Sequence, residues 1–330
     1  MANSKFHSPF RLLLAALFLL GGVAFSAPKK APKTTIKRVA PAKPTPKPIA
    51  KPTPQPAPVL APGELPLAAR SAISVDLKTG VVLYEKDADA MQYPASATKI
   101  LTALLVIEGG DLEKVVTVEL ADTKVEPTVM ELKPGETYPR KDLLFALLLK
   151  SANDVAAALA RDNAGSVPLF AEKMNRRAEE LGATSSHFVT PSGLHDPHHY
   201  TTARDLALIA REAMKNPLFR QIVATTEATI TKAELPLKLT NHNRLLAKMP
   251  GCIGVKTGFT NPAQQVLVSA AAREGREVLA VVLHTNKPGI WEDSKRLLYD
   301  GFEKLGLPPL APTTTPAPVS VVPEEKDGGQ

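Results

Sequence analysis

The chain of 330 residues is 44% hydrophobic and 22% charged, with a formal net charge of +7 and a single cysteine. This composition excludes a wholly disordered chain, and one cysteine excludes an internal disulfide. Residues 1–26 carry +2 and residues 27–66 carry +7, so residues 67–330 carry 7 − 9 = −2. The basic character therefore belongs to the N-terminal part, and we expect no nucleic-acid partner.

The first 26 residues have the pattern of a secretory signal peptide. Lys5 and Arg11 give a positive start, an apolar run continues through Leu20, and residues 24–26 supply the small residues of a cleavage site. A retained membrane anchor is the alternative, because the apolar run is only a few residues short of a span. Either way we expect an extracytoplasmic protein, in the periplasm or secreted to the cell wall.

Two proline-rich segments enclose the rest of the chain. Residues 27–66 alternate Pro, Lys, Ala and Thr, which predicts an extended, disordered linker. Its charge could hold an anionic envelope polymer or a membrane surface, and a plain spacer is the alternative. Residues 309–330 are rich in Pro and Thr, end in acids and are also predicted to be disordered. Residues 67–308 are long enough for one domain with a sizeable core.

Short β-rich runs and helical patterns divide this domain. Residues 72–77 and 81–84 predict a hairpin whose turn holds Lys78-Thr79-Gly80. Helical spacing of apolar residues covers residues 143–149, 155–159, 169–181 and 206–214, and a last helix covers 291–305. Further strands are predicted over residues 226–231, 253–257, 266–270 and 278–283. Strands at both ends indicate an α/β (α+β) fold, an antiparallel sheet flanked by helices with an inserted helical lobe.

Ser96 is the first candidate for chemistry. Residues 100–107 are apolar nearly all round, which is typical of a buried helix. Ser96 lies at its start, where backbone N–H groups stabilise a developing oxyanion. Lys99 shares a face with Ser96 at i+3, and burial would lower its pKa so that neutral Lys99 can take the Ser96 proton. The alternative is a helix cap beside a surface lysine.

The next candidate is Ser151-Ala152-Asn153, which interrupts two helical patterns and predicts a loop between helices. The Ser151 hydroxyl could pass a proton to a leaving amine. The Asn153 amide could bind the substrate backbone or Lys99. Two helix-capping residues are the alternative.

The last candidate is Lys256-Thr257-Gly258, within a predicted strand. Lys256 offers a fixed positive charge, Thr257 a hydroxyl for a substrate carboxylate, and Gly258 lets a substrate backbone approach closely. A strand end with an exposed lysine is the alternative. The earlier copy of this tripeptide, at Lys78, precedes Ser96 and is expected to take no part in the chemistry.

These three sequence motifs, S-x-x-K, S-x-N and K-T-G, occur in the same order as in penicillin-binding proteins and serine β-lactamases. From about Ala72 to Leu305 the chain resembles the D-alanyl-D-alanine carboxypeptidase family, the serine peptidases of family S11 among the low-molecular-mass penicillin-binding proteins. The resemblance also covers residues 132–136, 187–196 and 258–261. It implies a β-lactamase/transpeptidase-like fold.

By this resemblance Ser96 is the acylated nucleophile and Lys99 is its base. It further implies that Ser151, Asn153 and Lys256 complete the network that moves protons and binds the substrate. Thr257 would bind the terminal carboxylate, and Gly258 would adjoin the substrate. The backbone N–H groups of Ser96 and Phe259 would form an oxyanion hole. The implied reaction attacks the D-Ala-D-Ala bond of a peptidoglycan stem peptide, releases terminal D-Ala and hydrolyses the acyl-enzyme. β-Lactams would be covalent inhibitors, the role would lie in cell-wall synthesis and cell shape, and no metal or organic cofactor is implied.

Two departures from the family pattern raise questions. Residues 262–265 replace a segment that often contains Gly in relatives, which questions the local strand geometry. Ile290 stands where many relatives place an Arg for the substrate carboxylate, so only Lys256, Thr257 and Lys287 are available for it. We therefore expect weak discrimination between a free terminal D-Ala and a cross-linked one.

Other functions stay open at this point. A D,D-endopeptidase that cleaves peptidoglycan cross-links would share all three motifs. A class A β-lactamase would need S-D-N and a deacylating Glu, but position 152 is Ala. His195, His198 and His199 could bind zinc, although they lack helical spacing. If the protein only bound the cell wall without catalysis, the presence of all three motifs would be a coincidence.

Overall fold

The computed structural model describes residues 64–309. The predicted signal, residues 27–63 of the predicted linker and residues 310–330 of the predicted tail lie outside the described residues. In chain order the strands are β1 (Ser71–Asp76), β2 (Val82–Lys86), β3 (Val115–Thr117), β4 (Thr137–Pro139), β5 (Glu227–Lys232), β6 (Leu235–Thr240), β7 (Cys252–Thr260), β8 (Gln264–Arg273) and β9 (Arg276–Thr285). The α-helices are α1 (Lys99–Glu108), α2 (Arg140–Phe145), α3 (Asn153–Ala164), α4 (Val167–Glu180), α5 (Ala203–Lys215), α6 (Pro217–Ala224), α7 (Leu245–Lys248) and α8 (Gly289–Lys304).

Five strands form the central antiparallel sheet in the order β2-β1-β9-β8-β7. Strands from both ends of the domain meet in it, and helices cover both faces, as the sequence predicts. Successive residues of β9 alternate between the faces, as in any strand. Leu279 and Val281 belong to the larger core, which includes α1 and α5, whereas Val278 and Ala280 belong to the smaller core, which includes α8.

The predicted hairpin is confirmed, with Lys78-Thr79-Gly80 in the turn between β1 and β2. Residues 262–265 leave the pairing of β7 with β8 in register, because Thr260 pairs with Gln264 and Phe259 with Gln265. The pairing of β8 with β9, however, shifts register between Gln265 and Leu267, and Gln264 has a positive φ of 56°. The local strand geometry that the sequence questioned is therefore irregular at the start of β8. No helix within residues 64–309 is long and apolar enough to cross a membrane.

Several elements differ from the sequence-based expectation. The strand predicted over residues 226–231 is present as β5, but it pairs only with β6 in a separate two-stranded sheet. Ala233 and Glu234 connect the two with positive φ values of 47° and 65°, the backbone of a tight hairpin. A period-2 pattern predicts a strand but not its partner. The short strands β3, β4 and β6 and the helix α6 were not predicted.

Candidate active site

Ser96 lies in a single 3₁₀ turn, Ala95–Thr98, that leads directly into α1. Helix α1 is buried from Lys99 through Val106, as its apolar sequence predicts. Strand β7 passes close to the turn: a Cβ added to Gly258 would lie 2.9 Å from the Ser96 backbone nitrogen. Glycine is therefore needed at position 258 for the strand to approach the Ser96 backbone.

Lys99 is fully buried, and its Nζ lies within hydrogen-bond distance of three oxygens. These are Ser96 Oγ at 2.9 Å, Asn153 Oδ1 at 2.7 Å and the Ser192 carbonyl at 2.8 Å. The Asn153 amide is oriented by its own Nδ2, which donates to the Glu126 carbonyl at 2.8 Å. Asn153 Oδ1 and the Ser192 carbonyl can only accept, so Lys99 must donate to both.

This geometry directs the lone pair of a neutral Lys99 at the serine. A neutral amine has two N–H donors, and both are used by Asn153 and Ser192. The remaining neighbour, Ser96 Oγ, can then donate its own proton to Nζ. Burial lowers the pKa of Lys99 well below its usual value, the charge of Lys256 lowers it further, and Asp154 opposes the shift. The arrangement is that of a general base set against a nucleophile.

Lys256 is also buried, at 1% exposure, and its Nζ donates to the Thr257 carbonyl at 3.0 Å. Burial lowers the pKa of Lys256 to about 7. Burial thus opposes the positive charge that the sequence analysis expects at Lys256. The surface-lysine alternatives for Lys99 and Lys256 are also excluded.

Ser151 follows a π-helical turn, Ala146–Lys150, and adopts a left-handed backbone with φ 63°. Together with the extended Ala152 it forms the predicted break before α3. Ser151 lines a cavity with Ser96, but within residues 64–309 its hydroxyl has no hydrogen-bond partner. The predicted contact of Asn153 with Lys99 is present, whereas Ser151 is near the site without a bond to either lysine.

Two cavities open beside Ser96, one of about 380 Å³ and one of about 320 Å³. Thr257, His242, Arg244 and Lys287 line the larger one. The sequence analysis named Thr257 and Lys287 as candidates, but not His242 or Arg244. Its lining contains no carboxylate. Within the described part of the chain the Arg244 and Lys287 side chains have no ion pair or hydrogen bond. The larger cavity is therefore suited to an anionic group.

Ile290 lines the same cavity but is only 1% exposed, as part of the smaller core. Arg244 comes from the N-cap of the one-turn helix α7, too short to show a periodic signal. This explains why sequence patterns did not connect Arg244 with Ser96.

The histidines of the predicted zinc alternative do not converge. His199 is buried, with Nδ1 accepting from the backbone N–H groups of Val189 and Thr190 at 3.0 and 3.2 Å, and with Nε2 2.8 Å from Thr98 Oγ1. Both ring nitrogens are therefore occupied, and burial lowers the pKa of His199 to about 4. Within residues 64–309 no three His, Cys, Asp or Glu side chains are grouped as a metal site. His199 instead fixes the turn that carries Ser96.

Comparisons with known proteins find a matching family and similar structures. The sequence model of the family described as D-alanyl-D-alanine carboxypeptidase matches residues 58–287. A Mycobacterium tuberculosis relative, D-alanyl-D-alanine carboxypeptidase DacB2, is 39% identical over 240 residues, which cover 71% of this chain and 82% of the relative. An Escherichia coli relative, named D-alanyl-D-alanine endopeptidase, is 32% identical over 222 residues, covering 66% and 71%. The crystal structure of a D-alanyl-D-alanine carboxypeptidase from M. tuberculosis H37Rv is similar with a TM-score of 0.70 and 38% identity, covering 77% and 98%.

Proposed function

The chain belongs to the D-alanyl-D-alanine carboxypeptidase family of serine peptidases, and from this membership we propose that it removes the terminal D-Ala from peptidoglycan stem peptides through an acyl-enzyme on Ser96. The observation that carries the proposal is the Lys99 amine, whose two other neighbours can only accept hydrogen bonds. That leaves its lone pair for the Ser96 proton. Penicillins and other β-lactams present an acylating carbonyl to the same serine and are expected to bind covalently.

In the proposed acylation Ser96 Oγ attacks the carbonyl carbon of the penultimate D-Ala while its proton moves to Lys99 Nζ. The developing oxyanion meets the backbone N–H groups of Ser96 and Phe259. The C–N bond then breaks, and the leaving amine takes a proton that reaches it by way of Ser151. Water hydrolyses the ester in the second half of the reaction, with Lys99 again as base.

The terminal carboxylate of the substrate is assigned to the cavity beside Thr257. Arg244 and Lys287 line this cavity without carboxylate partners, and guanidinium groups bind carboxylates with two parallel hydrogen bonds. We therefore revise the expectation drawn from Ile290. Arg244, from a different element, supplies the charge that position 290 lacks, and the enzyme should favour a free terminal D-Ala.

An experiment with muropeptides tests this assignment. Arg244→Ala should raise the KM for pentapeptide by about 10- to 100-fold, as expected for losing a charge-assisted hydrogen bond of about 1.5–3 kcal/mol. Lys248→Ala, an exposed lysine on the same short helix, is the matched control. Release of D-Ala and cleavage of cross-linked dimers are followed by mass spectrometry.

A D,D-endopeptidase is the second candidate, since a relative carries that name. Faster cleavage of cross-linked dimers than of pentapeptide in the wild type would favour it. An unchanged pentapeptide KM in Arg244→Ala would remove Arg244 from the site.

The extracytoplasmic location remains part of the proposal, because the predicted signal lies outside the described residues. Its support is the substrate, which is a component of the cell wall. An anionic envelope polymer as partner of residues 27–66 rests on their charge of +7.

A further inference from the structure

A further cavity, of about 550 Å³, lies at the end of the central sheet away from Ser96. The β8–β9 turn and the ends of β1, α5 and α6 enclose it. Along β8, Gln265 pairs with Phe259 of the catalytic strand, while Ala272 lines the cavity. Seven residues of strand separate them, or about 23 Å. This cavity is therefore separate from the proposed active site.

The lining of this cavity is strongly basic. It contains five cationic side chains, Lys78, Arg211, Lys215, Arg220 and Arg276, against two carboxylates, Asp76 and Glu277, a formal balance of +3. Arg220 pairs with Glu277, and Lys215 pairs with Glu212.

Among the described residues, three of these cations have no carboxylate partner. Arg211 donates only to the backbone carbonyls of Leu77 and Lys78, which position its guanidinium without neutralising it. Within residues 64–309 the side chains of Lys78 and Arg276 have no ion pair or hydrogen bond. A concave site with several uncompensated cations, two of them arginines, fits a ligand with clustered carboxylates or phosphates.

The sequence of the chain itself contains such a ligand, after the described residues. These end at Pro309, and the carbonyl of Pro308 accepts a hydrogen bond of 2.6 Å from Arg273. Arg273 pairs with Arg276 across the β8–β9 turn. Pro308 therefore lies beside this turn on the side of α8, and the cavity opens on the other side, toward α5 and α6.

The charge of the C-terminal residues suits the basic cavity, and the chain between them and Pro309 is long enough to reach it. Residues 310–323 contain no charged side chain, and Glu324-Glu325-Lys326-Asp327 follow with a net charge of −2. Fourteen proline-rich residues can span about 43 Å, enough to pass the turn. A tether of this kind gives an effective concentration in the millimolar range, so that even a weak contact is populated.

We propose that this basic cavity is an anion-binding site and that the acidic segment Glu324–Asp327 of the same chain occupies it. Carboxylates of Glu324, Glu325 and Asp327 would face Lys78, Arg211 and Arg276. The contact would weaken with salt, because all three cations are at least partly exposed.

Paramagnetic NMR on the full chain tests the contact. A nitroxide is attached at Gly328→Cys in a Cys252→Ser background, and the broadening of backbone amide signals is measured. Signals of residues 78–80 and 275–277 should broaden at low salt and recover in 0.5 M NaCl. Lys78→Ala with Arg276→Ala should remove most of the broadening, whereas Lys133→Ala with Lys141→Ala, two exposed lysines elsewhere, should leave it. Absence of the broadening, or its survival in the Lys78/Arg276 variant, would overturn the proposal.

Binding of inorganic pyrophosphate tests the anion site and its proposed occupant, the acidic tail, independently. Neutralising the tail by Glu324→Gln, Glu325→Gln and Asp327→Asn should strengthen pyrophosphate binding at least about twofold, because the tail no longer competes. Equal affinity in both proteins would overturn the tail as occupant. No binding in either protein would overturn the anion site.

Discussion

The tripeptide Lys-Thr-Gly occurs twice in this chain, once in a turn and once inside a strand. Lys78 is exposed at the β1–β2 turn, where the Thr79 N–H donates to Asp76 Oδ1 and the Gly80 N–H to the Asp76 carbonyl. Lys256 is buried in β7. The same three residues thus form a hydrogen-bonded turn in one place and part of the wall of the proposed active site in the other.

This difference shows that burial, and not the tripeptide sequence alone, determines the chemical properties of its lysine. Burial lowers the pKa of Lys256 to about 7, and its charge in turn lowers the pKa of Lys99. An exposed lysine in a turn has no comparable effect on a neighbouring base. In the sequence, their order relative to Ser96 and their predicted elements, a turn and a strand, distinguish the two copies, and the fold supplies the physical reason.

The largest expected contrast comes from removing each lysine. Lys256→Ala should lower the acylation rate by about 100-fold, near 3 kcal/mol, since a preorganised electrostatic partner is lost. Lys78→Ala should stay close to wild type, as surface substitutions usually do. Second-order rate constants for a fluorescent penicillin measure both. A larger loss in Lys78→Ala would reverse the assignment.

Replacing each glycine by alanine should separate rate from stability. A Cβ at Gly258 would press on the Ser96 backbone nitrogen, so Gly258→Ala should slow acylation by about 10-fold or more. Gly80 has φ +83° and faces the Arg211 guanidinium, so Gly80→Ala should instead lower the melting temperature by about 2–8 °C. Thermal unfolding and acylation are measured on both variants. Normal acylation in Gly258→Ala would show that β7 is not so close to Ser96.

The pH dependence gives the smallest but most specific contrast. Neutral Lys99 is required as base, so acylation should decline as pH falls through its pKa. Because the charge of Lys256 lowers this pKa, Lys256→Ala should raise it and move the acid limb to higher pH. Lys78→Ala should leave the limb in place. A limb that stays put or moves to lower pH in Lys256→Ala would show that the two amines are not coupled.

Local patterns predicted the parts of the site that are continuous in sequence. The apolar run after Ser96 predicted a buried helix, and burial with i+3 spacing predicted the low pKa and orientation of Lys99. The hairpin and the flanking helices also follow from periodicity. Each of these depends on residues within a few positions of one another.

Contacts between distant segments could not be predicted in this way. The Ser192 carbonyl lies 93 positions from Lys99 and offers no side-chain signal, because a backbone oxygen is present at every residue. His199 fixes Thr98 from 101 positions away, and its histidine-rich surroundings suggested a metal instead. The lowered pKa of Lys256 comes from its burial, and a strand pattern in the sequence does not show how deeply a side chain is buried.

The central claim is that Ser96 is the nucleophile that Lys99 deprotonates. The most direct measurement is mass spectrometric mapping of the peptide labelled by penicillin, on the wild type and on Ser96→Ala with its fold verified by circular dichroism. The account predicts one covalent adduct on Ser96 and none in the variant. An adduct at another residue, or labelling that persists in folded Ser96→Ala, would contradict it.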